Sequence, residues 1–214
     1  IWLKSIQPCL ICDECIESDE PLCSACETEL PWLMEQCERC ALPLPMDGLI
    51  CGQCQKQPPA FHQVIAPWTY SFPVDTLISR FKHQARWPLG HMLARLLTQH
   101  LQHRFDNAEL SRPDCLLPVP MARKRLRERG YNQALELARH LASDKTDART
   151  LLRSGRSAHQ VGASRAARLD HVRDAFWIDP ERIANVYHQR IVVVDDVMTT
   201  GASMYEAART LRAA

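Results

Sequence analysis

The sequence predicts an α/β protein in which a parallel-sheet domain follows a small metal-binding module. Three observations carry this. Residues 191–194 are Ile-Val-Val-Val, four β-branched apolar residues in a row, as in a strand buried on both faces of a parallel sheet. Apolar stripes at helical spacing occur elsewhere, with Leu89, Met92, Leu93, Leu96, Leu97 and Leu101 in one segment and Tyr205, Ala208 and Leu211 in another. Nine of the ten cysteines lie within the first 54 residues. The 214 residues, 46% hydrophobic and 24% charged, suffice for one medium core plus such a module.

The cysteines form a repeat. Four C-x-x-C pairs can be drawn, Cys9/Cys12, Cys23/Cys26, Cys37/Cys40 and Cys51/Cys54, and each of the first four cysteines recurs 28 positions later. Ten residues separate the pairs within each repeat. Cys12/Cys15 is also a C-x-x-C, but the position matching Cys15 is Pro43, so Cys15 is the odd one out. A C-x-x-C turn aims two thiolates at one centre, and two such turns make a tetrahedral four-sulfur site for Zn²⁺. The expectation is two structural Zn²⁺, each closed within one repeat. Such a module has little apolar core, so metal binding supplies much of its folding energy. Disulfides fit poorly with paired spacing and with a chain that shows no secretion signal. No run reaches the ~18 apolar residues of a membrane helix. No membrane insertion is expected.

The formal charge of +1 hides an asymmetry. Residues 1–62 hold three basic and ten acidic side chains, a net of −7, and residues 63–214 carry +8. Opposite fields mark two modules, expected at 1–57 and 58–214 with Pro58-Pro59 as a stiff linker. Two four-thiolate zinc centres add about −2 each, so the first module is strongly anionic and does not bind a phosphate backbone unaided.

Residues 64–72 alternate loosely around Trp68 and Tyr70, which predicts a strand. Pro73 opens a short helix through Leu77, Ile78 and Phe81 to Lys82 and His83. Pro88 opens a longer one whose leucine stripe is core, with His91, His100 and His103 on its wet side. Residues 115–120 read as a short buried strand ending in a proline-stiffened loop, with Cys115 as a core thiol. A basic stretch follows: Arg123, Lys124, Arg125, Arg127 and Arg129. Gly130 ends it, and Asn132 caps a helix over 133–141. Clustered arginines after a strand of the same sheet suit a diphosphate. Residues 143–157 show no period. A second basic group comprises Arg153, Arg156, Arg165, Arg168 and Arg173, with Gln160 and Arg165 in a polar loop before a helix over 164–172. Residues 176–178 form a strand closed by Pro180. The chain starts at Ile1 and stops within a helical pattern at Leu211-Arg212-Ala213-Ala214, which reads as truncation.

The strand at 191–194 runs into Asp195, Asp196, Val197, Met198, Thr199, Thr200, Gly201, Ala202 and Ser203. Ligands bind outside the carboxyl end of such a strand, where the next helix begins. Gly201 lets the backbone come close, and the N–H groups of residues 200–203 favour a phosphate. The hydroxyls of Thr199, Thr200 and Ser203 can donate to the same oxygens. Asp195 and Asp196 instead accept from paired sugar hydroxyls or from magnesium-bound water. A phosphate cradle beside a diol clamp is what a ribose 5-phosphate needs. No Walker phosphate loop occurs.

This loop resembles the phosphoribosyl diphosphate (PRPP) motif of the type I phosphoribosyltransferases. Together with the cysteine module and the stretch R-x-R-G-Y-N-Q at 127–133, it makes nearly the whole chain similar to the ComF family (competence protein F, including GntX-like proteins). The resemblance implies a double zinc-ribbon-like module ahead of a type I phosphoribosyltransferase-like domain. It also implies a bacterial cytoplasmic protein of natural transformation or use of external DNA, acting on single-stranded DNA beside a DNA-translocating helicase. PRPP or ribose 5-phosphate would sit on residues 195–203 with Mg²⁺. Arg127, Arg129 and Lys82 are the diphosphate candidates, and Arg123, Lys124 and Arg125 the DNA candidates. The alternative is a catalytically active phosphoribosyltransferase with an unknown acceptor; no general base or acceptor pocket is legible. One departure from the family pattern is the absence of a further strand after the helix that follows the loop.

Overall fold

The computed structural model describes residues 6–17, 20–84, 86–154 and 173–214. The anticipated loop at Gln160 and Arg165 and the helix over 164–172 lie outside these residues, as do Arg156 and Arg168.

The 28-residue repeat is a repeat of structure. Cys9 N–H donates to the Glu14 carbonyl at 2.8 Å and Cys37 N–H to that of Leu42 at 2.8 Å. Asp13 and Ala41, again 28 apart, both take left-handed backbone, with φ of 60° and 56°. Each repeat ends in a one-turn helix, α1 (Ser24–Thr28) and α2 (Gly52–Lys56). A small antiparallel pair, β1 (Gln7–Pro8) and β2 (Cys15–Ile16), closes the first repeat, and an antiparallel bridge between Gln36 and Pro43 stands at the matching positions of the second.

The strand expected over 64–72 does not form. The backbone groups of this segment are taken up by the cysteine module: Val64 N–H donates to Arg39 at 2.8 Å, Leu33 N–H to Pro67 at 2.8 Å and Thr69 N–H to Pro31 at 2.9 Å. A single bridge pairs Trp32 with Trp68, whose rings lie 5.5 Å apart. With these groups turned to the cysteine module, the stretch forms no ladder.

Two helices follow as predicted, α3 (Val74–Gln84) and α4 (Trp87–Asp106). Val74, Leu77, Ile78 and Phe81 of the first pack on Leu89, Met92, Leu93 and Leu96 of the second. Cys9, Leu22 and Leu30 belong to this same buried cluster, so the first cysteine repeat and the helix pair share one core. The second repeat has its own small cluster of Cys37, Cys51 and Cys54. His91 and His103 are exposed as expected, but His100 is half-buried, 6.3 Å from Trp32 in a near-parallel stack. Burial first, and then the Arg104 charge, lower its pKa.

Strands β3 (Cys115–Pro118) and β6 (Ile191–Val194) pair in parallel, Cys115 opposite Ile191 through to Pro118 opposite Val194. Leu116 and Leu117 are buried, while Cys115 is half-buried with its thiol pKa raised by burial. Between them lie α5 (Arg123–Arg129) and α6 (Gln133–Ala142). Gly130 ends α5 at φ +84°, and Asn132 accepts from Ala134 N–H at 3.0 Å to cap α6. Tyr131 donates its hydroxyl to the Phe81 carbonyl, fastening this corner to α3.

A second ladder, β4 (Leu151–Arg153) against β5 (Phe176–Ile178), is antiparallel. The first of these strands falls in a stretch that showed no period; three residues are too few to display one. The chain then enters β6 and α7 (Ala202–Arg212). The β6 strand departs from the expectation of burial on both faces. Val194 is buried, but Val192 is 40% exposed although α6 and α7 both contact the strand. No described helix is long and apolar enough to cross a membrane.

Candidate functional site

The eight repeat cysteines assemble as two quartets, Cys9, Cys12, Cys23, Cys26 and Cys37, Cys40, Cys51, Cys54, with the sulfurs of each within 4.8 Å of one another. Each quartet is closed within one repeat. A Zn–S bond of about 2.3 Å puts tetrahedral sulfurs roughly 3.8 Å apart. Cys12 and Cys23 sulfurs are 3.9 Å apart, and Cys40 and Cys51 sulfurs 3.7 Å. These are metal-site spacings and not disulfides, which need about 2.05 Å. Cys23 N–H points at the Cys9 sulfur at 3.4 Å and Cys51 N–H at the Cys37 sulfur at 3.3 Å, the donors that a bound thiolate requires.

The thiol chemistry fits a cation. Burial opposes ionisation of Cys9, but N–H groups of Cys12, Cys23 and Ile11 outweigh it and pull the thiol down to about 6. Cys37 is likewise brought to about 6 by Cys51, Cys40 and Arg39 N–H groups against burial. Cys26 and Cys54 are pushed strongly up, by burial and then by neighbouring sulfurs. Four thiolates cannot share a pocket without a positive ion, and a divalent cation resolves the conflict. The two sites fit two structural Zn²⁺. Cys15 stands outside both quartets, exposed on β2.

At the carboxyl end of β6, Asp196 N–H donates to the Asp195 carboxylate at 2.9 Å. Lys82, near the end of α3, reaches Asp196 at 2.9 Å, and the two side chains keep only 19% and 12% of their surface. Burial, then the Asp196 charge, push Asp195 up to about 7, against Asp196 N–H, Lys82 and Arg153, which hold it down. The turn then places Gly201 at φ +73° ahead of α7, with no side chain capping the helix. Thr199 is exposed, while Thr200 and Ser203 are half-buried.

Of the other basic candidates, Arg127 is exposed and Arg129 donates to the Gln133 side chain at 2.9 Å. Arg123 and Lys124 are exposed, whereas Arg125 is half-buried. Burial, then Arg129, lower the Arg125 pKa. Sequence reasoning assigned no role here to Arg153, at the end of β4, which interacts electrostatically with both Arg125 and Asp195. Its signal was a three-residue strand, too short to read.

A cleft of about 410 Å³ opens beside the turn. It is lined by residues 198–201 and Tyr205, by Leu42, Gln53 and Gln57 of the second cysteine repeat, and by Phe61, Trp68 and Tyr70 of the connecting segment.

Residues 7–55 match the model of the double zinc ribbon domain. Over 194 residues the chain is 30% identical to competence protein F of Haemophilus influenzae, covering 89% of this chain and 84% of that protein. It is 30% identical to the DNA utilization protein YhgH of Salmonella typhimurium over 193 residues, 89% and 83% of the two chains. Competence protein ComFC of Bacillus subtilis matches at 23%, over 95% of this chain and 88% of its own. With two zinc-ribbon quartets followed by a parallel α/β unit along a shared length, the chain belongs to the competence protein F family.

Proposed function

We propose that residues 195–203 bind the ribose 5-phosphate portion of PRPP, with Mg²⁺, and that the protein does so in the uptake and use of external DNA. The observation that carries the ligand is the junction of β6 and α7. An acidic pair there is neutralised in part by Lys82 at 2.9 Å, next to an uncapped helix start behind a left-handed glycine. Lys82 offsets the acidic pair, which would otherwise repel a phosphate. When a diol or a magnesium-bound water takes the Asp196 oxygens, the ammonium is free to meet the diphosphate. Arg153 supplies further positive charge on the Asp195 side.

The DNA role is supported by the names of the relatives, competence and DNA utilization proteins. Single-stranded DNA as ligand and a DNA-translocating helicase as partner follow as proposals, with the exposed Arg123 and Lys124 as phosphate contacts. We assign the sugar-phosphate site to residues 58–214, read as a type I phosphoribosyltransferase-like unit, and zinc to residues 1–57. Titration calorimetry with ribose 5-phosphate and with PRPP tests the site. PRPP should bind more tightly with Mg²⁺ than without, and the absence of binding by both ligands refutes the assignment. Release of pyrophosphate from PRPP in the presence of nucleobases would make the protein a transferase.

A further inference from the structure

Three aromatic rings from separate parts of the chain form a column at the start of α4. Phe81 and Tyr131 lie 5.6 Å apart between ring centroids, and Tyr131 and Trp87 4.5 Å. The Tyr131 hydroxyl donates to the Phe81 carbonyl, which fixes the middle ring. Burial falls along the column. Phe81 and Tyr131 are buried, whereas Trp87 keeps 42% of its surface and belongs to none of the buried apolar clusters. Pro88 follows it in the first turn of α4 and stiffens the backbone there. A rigid base therefore carries an indole still open to solvent.

The charge around that indole is of one sign. With Tyr131 between Phe81 and Trp87, the column brings together the end of α3, the start of α4 and the end of α5. These bring Arg80, Lys82 and His83, then Arg86, then Arg127 and Arg129. Lys82 is held by Asp196 and Arg129 by the Gln133 side chain. Arg80, Arg86 and Arg127 are exposed and, among the described residues, form no ion pair. The acidic side chains of α3 and α4, Asp75 and Asp106, stand at the far ends of their helices. Glu128 is the one acid of α5, and it lies 4.0 Å from Lys124.

An anchored indole among unpaired arginines suits a ligand that alternates flat rings with negative charges. A single strand of nucleic acid presents both. In a duplex the base faces are already stacked on one another, and exposing one costs unpairing. An acidic protein segment would satisfy the arginines but offers the indole no regular succession of rings.

We propose that Trp87 is a stacking platform for a base of single-stranded DNA, with Arg86 and Arg127 meeting the neighbouring phosphates. This rests on the reading of the protein as one that binds single strands. It extends the contact surface from Arg123 and Lys124 along α5, roughly 10 Å at 1.5 Å per residue, to the aromatic column at its far end.

The test uses fluorescence anisotropy on the full chain with two oligomers of equal length, an oligothymidylate and an abasic deoxyribose-phosphate strand of the same charge. The oligothymidylate should bind more tightly. Trp87→Leu keeps an apolar side chain against Tyr131 but has no flat face. It should lower oligothymidylate affinity about tenfold, the scale of one base–aromatic stack, and leave both the salt slope and the affinity for the abasic strand unchanged. Trp87→Phe should retain the greater part of the oligothymidylate affinity. Arg86→Gln should instead weaken both oligomers and reduce the salt slope by about 0.7. Equal wild-type affinity for the two oligomers, or a Trp87→Leu protein that binds oligothymidylate as the wild type does, refutes the platform while the single-strand reading stands. Equal losses in Trp87→Leu and Trp87→Phe, or a loss for the abasic strand in Trp87→Leu, also refute it, since Trp87 then only holds the fold. If the wild type binds neither oligomer, the single-strand reading falls and the platform with it.

Discussion

Two residues show how the β6–α7 turn is tuned. Gly201 sits at φ +73°, where any Cβ is disfavoured, and a Cβ there would also come within 2.9 Å of the Met198 side chain. The left-handed conformation costs a non-glycine residue roughly 1–2 kcal/mol, with more for a β-branched one. Gly201→Val should therefore lower stability by about 2 kcal/mol in urea unfolding and abolish ribose 5-phosphate binding in calorimetry. Normal binding by the variant would place the phosphate elsewhere. Asp195 makes a prediction in pH. Its folded pKa of about 7 lies above the ordinary 3.8, so the native state retains a proton that the unfolded chain releases between those values. Stability contributed by this group is thus lost as pH rises from about 4 to 7. Asp195→Asn should flatten that slope and be the more stable protein above pH 7. Ligand affinity runs the other way. A carboxylate must be ionised to clamp a diol or magnesium-bound water, so ribose 5-phosphate should bind up to about tenfold more weakly for each pH unit below 7. Affinity independent of pH between 5 and 8 would exclude Asp195 from the clamp.

At the scale of elements, the duplicated ribbon gives the sharpest expectation. Metal analysis should find two zinc ions per chain, still two in Cys15→Ser and one in Cys12→Ser or in Cys40→Ser. A loss with Cys15→Ser would undo the assignment of quartets. The two single-zinc variants should differ in stability. Cys9, Leu22 and Leu30 share a core with Phe81 and Met92, so loosening the first repeat opens apolar surface at the centre of the molecule. The second repeat buries little beyond its own sulfurs. Cys12→Ser should therefore lower Tm more than Cys40→Ser does.

Over the whole molecule, charge is distributed unevenly. The first 62 residues carry −7 and the remainder +8, and zinc thiolate centres deepen the first figure. Single-stranded DNA should thus meet the second part. Arg123 and Lys124 are exposed on α5, and Lys124 lies 4.0 Å from Glu128, an ion pair too exposed to restrain it. Arg123→Glu with Lys124→Glu should weaken binding of an oligonucleotide in fluorescence anisotropy. It should also reduce the salt slope by about 0.7 for each phosphate that the variant no longer neutralises. Unchanged affinity and slope would move the DNA surface off this helix.

The sequence by itself determined the parts whose physics is local. A C-x-x-C turn brings two sulfurs together through neighbouring residues, so the pairing of all eight ligands could be read from spacing. The caps at Gly130 and Asn132, the stripes of α3 and α4, and the strands at Cys115–Pro118 and Ile191–Val194 follow from backbone and periodicity alone. What depends on residues distant in the chain was not legible. Lys82 was a diphosphate candidate, but its ion pair with Asp196, 114 positions away, was not foreseen, nor was the charge of Arg153, from a strand of three residues, acting on Asp195. Residues 64–72 have the alternation of a strand, yet their hydrogen bonds go to the cysteine repeats. The separate fates of the two zinc repeats, one in the core and one on the cleft, were decided only in three dimensions. Their cysteine spacing is identical, and the difference lies in which other surfaces each had to bury.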